Sequence, residues 1–397
     1  MPVLPPPPPG DDAVEWVAEH LGDLCGEPPR ASSIRGGQAA ADAALAALDL
    51  TGYASRRSTV LPVERRGATR MSPYVRHGLL TLPQLWAVAK DAPYKDRQKY
   101  RDELLWQEYA RHVYARLGGR TAQDYRVEQP RPARWPDPWP REMACMDFVR
   151  DELETDGWLV NQTRMWVASQ WSVRAGHDWR EGEDALYRRL LDGSRAANRL
   201  GWQWTVGTGS GKPYGFSRWQ VEKRAPQLCG RCPVRARCPI QEWPDADVGA
   251  RVAPPEGLVD GTTDGGPVEV QRTGEPEAVW LTAESLGSED PALTAHPDLP
   301  RVFVFDAPLL GRLGLAGIRF VFLAQALAEL DVEVRLGDPV EELAGRRLAV
   351  THAPVPGFRR RAGRLDLAET HPWPWLVRPA SGSLRSYSAW RSSHRVR

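Results

Sequence analysis

The chain has 397 residues, of which 42% are hydrophobic and 26% are charged, which is typical of a globular protein with two or three domains. No apolar run is long enough to cross a bilayer, so the sequence excludes an integral membrane protein. Lys and Arg number 52 against 51 Asp and Glu, so the whole-chain charge does not favour nucleic-acid binding and any such surface must be local. Five cysteines without a secretory signal predict a cytoplasmic protein with reduced thiols or metal ligands.

The first part of the chain is predicted to be mainly helical. Residues 1–30 form a proline-rich N-terminal tail and lead-in, and we expect the tail to be disordered or to adopt polyproline II structure. Residues 31–244 form the predicted helical domain, because β-branched runs are rare before residue 220. Apolar spacing predicts helices within four segments, namely Ala13–Leu50, Leu82–Leu117, Phe148–Arg174 and Asp184–Asn198.

The composition and the apolar pattern of the sequence change after residue 244. Residues 245–276 are rich in Pro, Gly and Asp and are predicted to be a linker. In residues 277–397, the apolar runs Ala278–Leu281 and Val302–Phe305 are typical of buried parallel strands, and Ile318–Leu330 is typical of a crossover helix. This alternation predicts a small α/β domain.

Six short segments between Gly36 and Trp204 carry the strongest functional signal. They are Ala68–Arg76 (ATRMSPYVR), Glu103–Glu108 (ELLWQE), Gly157–Met165 (GWLVNQTRM), Asp178–Glu183 (DWREGE), Leu191–Asn198 (LDGSRAAN) and Gly201–Trp204 (GWQW). This succession resembles the helical FAD-binding domain of the DNA photolyase and cryptochrome family. The resemblance implies a mainly α-helical, photolyase-like FAD-binding domain together with a smaller C-terminal α/β Rossmann-like domain.

The resemblance implies FAD as a cofactor and assigns residues to it. Arg164 and Asp192 match the pair that lies against the isoalloxazine ring, with a structural salt bridge as the alternative, and Asn198 matches the residue near flavin N5. Thr69 and Ser72 suit hydrogen bonds to the diphosphate, although a plain helix N-cap at Ser72 fits equally well. The expected FAD-binding residues are Tyr53, Thr69, Arg70, Met71, Ser72, Tyr100, Gln107, Trp158, Asn161, Arg164, Asp192, Ser194 and Asn198.

Four positions in this region depart from the family pattern. Ser194 stands where many relatives have an Asp, and Tyr100 stands where a Trp is common. Gln107 and Gln162 replace arginines. These departures bear on flavin affinity and redox tuning.

A second group of residues matches the positions that hold a flipped-out pyrimidine dimer in photolyases, and we expect these to be the catalytic residues. They are Glu103, Trp106, Asn161, Met165 and Trp204. Aromatic faces stack on bases, and a protonatable Glu can hydrogen-bond a dimer carbonyl. The alternative is that the same residues only pack. The segment Trp158–Asn161 lacks the His that (6-4) photolyases carry there, which favours cyclobutane dimers.

The resemblance also predicts an electron-transfer chain of tryptophans. Trp179 and Trp202 match its inner members, and Trp135 and Trp139 are candidates for the outer member. The usual lesion-side loop of the family is replaced by Pro138–Met143.

Three cysteines at C-x2-C-x5-C spacing, Cys229, Cys232 and Cys238, predict a metal site. Cys145 is the expected fourth ligand, because a lone cysteine before the Gly-Trp helix resembles the iron–sulfur bacterial cryptochrome and photolyase branch. This resemblance implies a [4Fe–4S] cluster, with zinc as the alternative. Cys25 is expected to be an unligated thiol.

The C-terminal part resembles the α/β domain that precedes the flavin domain in the photolyase family, which predicts a circular permutation. A generic α/β lid is the alternative. Thr282–Leu286 replaces the basic run after the first strand, so no antenna chromophore is expected.

The resulting hypothesis is a monomeric, light-driven lyase, a deoxyribodipyrimidine photolyase acting on UV-damaged DNA. Two alternatives stay open: a cryptochrome-like blue-light photoreceptor, and a non-photochemical interaction protein with a vestigial flavin pocket.

Overall fold

A computed structural model of the protein describes residues 3–130, 135–244, 248–261 and 265–394. Helices dominate the first part of the chain, as the sequence predicts. They are α1 (Ala13–Leu21), α2 (Gln38–Ala46), α3 (Tyr53–Arg56), α4 (Ser72–Arg76), α5 (Leu82–Val88), α6 (Tyr94–Leu117), α7 (Ala144–Asp156), α8 (Asn161–Ala168), α9 (Trp179–Arg189), α10 (Ala197–Val206), α11 (Arg218–Arg224) and α12 (Pro226–Gly230). A π-helical turn, Ser169–Arg174, continues α8.

Each of the four predicted helical segments is interrupted in the structure. Ala13–Leu50 divides into α1 and α2, Leu82–Leu117 into α5 and α6, and Phe148–Arg174 into α7 and α8. The segment Asp184–Asn198 was expected to be helical throughout, but α9 ends at Arg189 and α10 begins at Ala197. Between them the chain turns, and the side chains of Arg76 and Arg319 donate hydrogen bonds to the carbonyl oxygen of Gly193, at 2.8 and 3.4 Å. These tertiary bonds replace intrahelical ones, which local apolar spacing does not reveal.

The second part of the chain forms one six-stranded sheet between helices. Its elements are β1 (Gln271–Arg272), β2 (Ala278–Leu281), α13 (Pro291–Ala295), β3 (Arg301–Asp306), α14 (Ala307–Leu313), α15 (Gly317–Leu327), β4 (Glu333–Gly337), α16 (Pro339–Glu342), β5 (Leu348–Thr351), α17 (Phe358–Ala362), β6 (Leu367–His371) and α18 (Tyr387–Ser393).

The strand order is β1-β6-β5-β2-β3-β4, with β1 antiparallel to β6 and the other pairs parallel. The five parallel strands thus have the strand order of a doubly wound, Rossmann-like sheet. β2 and β5 are buried along their whole length, as expected of central parallel strands. β1 falls inside the predicted linker, because two exposed residues give no sequence pattern.

A single hydrophobic core joins the helices to the sheet. It contains Tyr74 and Leu104 from the helical part together with Phe303 and Phe320 from the α/β part. A second core, around Trp166, lies beneath the cysteine-rich segment. The predicted fold class, a helical domain with a smaller α/β domain, is therefore confirmed.

Both ends of the described chain pack against the rest of the protein. Val3 forms an antiparallel bridge with Arg335 of β4, and the Leu4 amide donates to the Val334 carbonyl at 2.8 Å. Of the two expectations for the tail, disorder is thus wrong from Val3 onward, because the tail pairs with an edge strand, whereas Pro9 (φ −71°, ψ 163°) has the expected polyproline II backbone. At the other end, Trp390 of α18 donates its indole N–H to His112 Nδ1 of α6 at 3.0 Å. Among the described residues, no helix combines the length and apolar character of a membrane span.

Candidate active site

A buried ion pair marks the centre of the candidate site. Arg164 of α8 contacts Asp192, in the turn before α10, with 2.8 Å between guanidinium nitrogen and carboxylate oxygen. The same guanidinium donates to the Leu159 carbonyl at 3.0 Å, which fixes its direction. The second oxygen of Asp192 and the side-chain amide nitrogen of Asn198 are buried and have no hydrogen-bond partner among the residues that the structure describes. Buried polar atoms of this kind need a partner, so the pair and Asn198 are suited to a bound polar group.

Several of the other residues predicted to bind FAD contact one another through hydroxyl groups and aromatic rings. Trp158 donates its indole N–H to the Ser72 hydroxyl at 3.0 Å, and the Arg70 guanidinium lies 5.5 Å from the Trp158 ring centroid. The Ser72 hydroxyl does not cap α4, so the plain N-cap interpretation is wrong; the helix begins without a side-chain cap.

The Tyr100 hydroxyl lies near Thr69, and its ring meets that of Tyr53 edge to face, with 5.1 Å between centroids. Burial raises the pKa of Tyr100 to about 12 and raises that of Tyr53 as well, so both phenols are neutral hydrogen-bonding groups at physiological pH. Met71 is buried, and Ser72, Gln107 and Ser194 are half-buried.

The predicted dimer-binding residues divide into two groups. Asn161 and Met165 contact each other on α8, with 3.7 Å between amide nitrogen and sulfur. Trp204 lies on α10, which packs against α8, and its ring lies 5.5 Å from that of Tyr214. Tyr214 in turn accepts a hydrogen bond from Gln162 of α8 at 3.2 Å. The α8–α10 surface therefore holds Asn161, Met165 and Trp204 together.

Glu103 and Trp106 form the other group, on α6. Glu103 forms ion pairs with Lys99 at 3.0 Å and with Arg57 at 3.5 Å, and Trp106 is half-buried against the main core. Within the described ranges, no hydrogen bond or ring contact joins either residue to Trp204. α6 nevertheless packs against α10, so both groups lie on neighbouring helices.

The predicted electron-transfer tryptophans lie in the second core. Trp179 is fully buried and Trp202 nearly so. The Trp202 ring meets that of Trp171 edge to face, with 6.5 Å between centroids. The candidates for the outer position differ: Trp139 is buried beneath Arg150, whereas Trp135 is half-buried and its carbonyl contacts His177. The sequence interpretation missed Trp171, which no motif points to.

The four predicted metal-binding cysteines line one cavity. Cys145 reaches it from α7, Cys229 from α12, and Cys232 and Cys238 from the loop that follows; Met143, Leu228 and Ile240 close it with apolar side chains. Burial raises the pKa of the Cys145 thiol, and the three other thiols raise it further. Arg218 also borders the cavity. Cys25 lies elsewhere, where its thiol faces the Leu21 carbonyl.

The sequence comparisons agree with this geometry. Residues 100–225 match the family model for the FAD binding domain of DNA photolyase. Residues 100–225 are therefore similar in sequence to the FAD-binding domain of DNA photolyases. This match covers Arg164, Asp192, Asn198 and the α8–α10 surface, and it ends at residue 225, just before the cysteine triplet at Cys229.

Relatives of the photolyase-type domain are found in several bacteria. A deoxyribodipyrimidine photo-lyase of Vibrio cholerae is 32% identical over 165 residues, which are 38% of this chain and 35% of that protein. One of Thermus thermophilus is 31% identical over 229 residues, which are 52% of this chain and 50% of that protein. A bacterial class III photolyase of Agrobacterium tumefaciens, of known crystal structure, aligns with 23% identity and a TM-score of 0.41 over 49% of this chain and 45% of its own. The chain spans between a third and a half of the length of the two photo-lyases.

The residues present fit FAD at the centre of the photolyase-type domain. Asp192 and Asn198 offer a buried carboxylate oxygen and a buried amide nitrogen that no described residue hydrogen-bonds, and Arg164 adds a cationic group beside Asp192. A flavin ring edge carries both hydrogen-bond donors and acceptors, so it satisfies atoms of both kinds. Sequence reasoning located these three residues but missed Tyr214, whose ring connects Trp204 to Gln162.

Proposed function

We propose that this chain is a light-driven, flavin-dependent DNA repair enzyme that splits cyclobutane pyrimidine dimers, a deoxyribodipyrimidine photolyase. The observation that carries the proposal is the arrangement on α10. This helix places Asn198 at one end and Trp204, which is 44% exposed, at the other; the buried amide nitrogen of Asn198 has no hydrogen-bond partner within the described ranges. Six residues of helix separate them by about 9 Å, so one rigid element connects the polar centre to an aromatic surface.

The polar centre is proposed to hold FAD through Arg164, Asp192 and Asn198. When bound, reduced FAD excited by light supplies the electron that splits the dimer. The chain's own part is to bind and orient: Asp192 fixes Arg164, and Arg164 places positive charge at the site. Trp158 and Ser72, hydrogen-bonded to each other, would line the same pocket.

The aromatic surface is proposed to hold the flipped dimer of UV-damaged DNA. Trp204 offers an exposed ring, and the ring of Tyr214 packs beside it. Stacking of a base on an aromatic side chain contributes about 1–3 kcal/mol. Asn161 is exposed beside Met165, so its amide is available to hydrogen-bond a base edge, and a damaged pair costs less to flip out of the duplex.

The proposal is tested by illuminating the purified, flavin-loaded protein with an oligonucleotide that contains one thymine dimer, in the presence of a reductant. We expect intact thymines to form in the light and not in the dark. Trp204→Ala should reduce repair while the flavin content stays unchanged. Trp219→Ala is the matched control, because Trp219 is also exposed but lies on α11, outside the α8–α10 surface.

The photoreceptor alternative makes a different prediction in the same experiment. A cryptochrome-like protein would retain flavin and respond to light with a spectral change, yet it would leave the dimer intact. The absence of flavin from the purified protein would instead favour the third hypothesis, an interaction protein with a vestigial pocket.

We also propose that Cys145, Cys229, Cys232 and Cys238 hold a [4Fe–4S] cluster. A tetrahedral zinc site with Zn–S bonds of about 2.3 Å places its sulfur atoms roughly 3.8 Å apart. Across the described chain, no three cysteine sulfurs lie within 4.8 Å of one another, although the four thiols line one cavity. The wider spacing suits a cluster, in which each cysteine binds a different iron.

Iron and acid-labile sulfide per chain, measured after anaerobic purification, test the cluster. We expect about four of each, and their loss in Cys232→Ser. Cys25→Ser should keep both, because Cys25 lies outside the cavity. Zinc in place of iron would overturn the cluster while leaving the light-driven function to be judged separately.

Finally, we propose that the two units are related to those of photolyases by circular permutation. The α/β unit follows the helical unit in this chain, whereas the resemblance implies the opposite order. The shared core and the docking of α18 on α6 support this interpretation, since the units pack intimately despite their order. A rearranged chain in which the α/β unit precedes the helical unit should still retain flavin.

A further inference from the structure

Two histidines and one glutamate converge at the edge of the α/β sheet. Glu369 and His371 lie two residues apart on β6, so their side chains leave the strand on the same face. His296 follows α13 and reaches them from outside the sheet. His296 Nε2 lies 2.8 Å and His371 Nε2 lies 3.1 Å from the same Glu369 oxygen, Oε2. One ligand atom from each residue lies within 4.8 Å of the other two.

We propose that His296, Glu369 and His371 bind one divalent transition-metal ion of the zinc class. Two imidazoles with one carboxylate form a common three-ligand set for such ions, and a water molecule completes the coordination. Imidazole nitrogen does not suit Mg²⁺ or Ca²⁺, which prefer all-oxygen sites. Bonds of about 2.0–2.2 Å place tetrahedral ligand atoms roughly 3.3–3.5 Å apart, so each histidine nitrogen needs to move from Glu369 Oε2 by only tenths of an ångström.

The surroundings of Glu369 distinguish this arrangement from a surface ion pair. The Glu369 and His371 side chains are 5% and 4% exposed, and that of His296 is 19% exposed. Both imidazoles direct Nε2 to one oxygen, whereas the other oxygen, Oε1, accepts from Arg272 Nε at 2.8 Å. Arg272 therefore orients the carboxylate and leaves Oε2 directed at the histidines. In a metal site, such an outer hydrogen bond fixes the ligand.

The position of the three residues suggests what the ion would do. His296 belongs to the segment between α13 and β3, whereas Glu369 and His371 belong to β6, next to the antiparallel strand β1. An ion bound here would tie this segment to β6, against which α13 also packs. Arg272 lies at the surface, with 68% of its side chain exposed, so its movement would open a path for the ion. The site is separate in sequence and in donor chemistry from the four cysteines.

Titration calorimetry of the full chain with Zn²⁺ tests the proposal. The protein is used as purified, and nothing that the four cysteines hold is removed. We expect one equivalent to bind, to be lost in His296→Gln and to be kept in His20→Gln, a control at a half-buried histidine on α1. His296 is chosen because its partial exposure makes loss of folding a small risk. Circular dichroism of each variant checks that folding is retained.

Co²⁺ provides a second measurement that does not depend on a variant. Bound to nitrogen and oxygen ligands, it should give visible d–d absorption in a difference spectrum without a sulfur-to-cobalt charge-transfer band. A thiolate band would assign the ion to the cysteines and overturn the proposal. The proposal is also overturned if Zn²⁺ does not bind, or if binding persists in His296→Gln, because the three residues would then form only an ion-pair network.

Discussion

The ring of Trp202 meets the ring of Trp171 edge to face, with 6.5 Å between centroids and 84° between planes. Trp202 is 4% exposed, whereas Trp171 is half-buried at the rim of the second core. Trp171 lies in the π-helical turn after α8 and donates its indole N–H to the Asp178 carbonyl at 3.2 Å. The pair therefore forms a continuous aromatic path from the interior toward the surface, and we propose Trp171 as the outer member of the predicted electron-transfer chain.

Trp171→Phe is expected to slow light-driven reduction of the flavin, because phenylalanine keeps the packing but is much harder to oxidise than tryptophan. Trp202→Phe should slow it further, since Trp202 is the more deeply buried of the two. Time-resolved absorption after a blue flash measures both effects. Trp219→Phe, at an exposed residue of α11, should leave the rate of flavin reduction unchanged. If Trp135→Phe or Trp139→Phe slows reduction and Trp171→Phe does not, the electron follows the path that the sequence suggested.

Gly182 allows the two rings to approach α9 closely. A Cβ atom at this position would lie 2.3 Å from the Trp202 ring and 2.9 Å from the Trp171 ring. Gly182→Ala is therefore expected to destabilise the protein by about 1–3 kcal/mol, the cost of overpacking a filled core. The usual effect of Gly→Ala within a helix is the opposite, a gain of up to about 1 kcal/mol.

Gly311→Ala is the matched control for that substitution. Gly311 lies within α14, is exposed, and its Cβ would make one ordinary contact at 3.8 Å with Leu24. This variant should be more stable by roughly 0.5–1 kcal/mol. Urea unfolding of the two variants measures the difference in their free energies of unfolding. If both free energies shift by the same amount in the same direction, the space around Gly182 tolerates a Cβ atom.

The Trp171–Trp202 pair also illustrates what the sequence did and did not predict. Apolar runs identified β2 and β3 because buried parallel strands are continuous apolar segments. β1 was missed because its two residues are exposed, and the break before α10 was missed because long-range hydrogen bonds to Gly193 create it. Trp171 was missed for the same reason: its importance lies in a contact 31 residues away in the chain, to Trp202.

Asp192→Asn is expected to lower the flavin content of the purified protein and to reduce its stability. The substitution leaves the partly buried Arg164 guanidinium without a negative partner, and breaking a buried pair in this way costs about 3–5 kcal/mol when burial is complete. The Arg164 side chain is 21% exposed, so we expect roughly half that cost. Flavin absorbance per chain and urea unfolding measure the two effects separately.

Glu154→Gln supplies the control for this prediction. Glu154 forms an ion pair with Arg141 at 3.1 Å, but both side chains are about half exposed. Its loss should change stability by less than about 1 kcal/mol and leave flavin content unaltered. Equal flavin loss in both variants would mean that Asp192 acts only through global stability.

The sequence predicted the residues of the candidate flavin centre better than it predicted the tertiary contacts of the surrounding residues. Arg164, Asp192 and Asn198 were located by motif order. The structure brings Arg164 to Asp192, and polar atoms of Asp192 and Asn198 have no hydrogen-bond partner in the described part of the chain. The ion pair between Glu103 and Arg57 was not foreseeable, because Arg57 follows α3 and lies 46 residues earlier in the chain. Tertiary neighbours of this kind leave no local pattern.

Glu108 gives the protein a pH-dependent stability. It is fully buried in α6, and burial raises its pKa to about 7 despite the nearby Arg111 and the Val377 amide, which donates to it at 2.8 Å. The folded state therefore binds more protons than the unfolded state between pH 4.5, the ordinary value, and about pH 7. Stability should fall as the pH rises through this window and level off above it. Asp290, whose pKa burial raises to about 6, acts in the same direction.

Glu108→Gln should remove the larger part of this dependence. The amide oxygen can still accept the hydrogen bond from Val377, and no charge is buried at high pH, so the variant should be more stable than the unsubstituted protein at pH 8 and closer to it at pH 5. Urea unfolding midpoints at the two pH values measure the change. Glu256→Gln, at a side chain that is 91% exposed, should leave the difference between the two midpoints unaltered. If Glu108→Gln also leaves it unaltered, the Glu108 carboxyl titrates near its ordinary pKa in the folded protein, and the fall in stability arises from other groups such as Asp290.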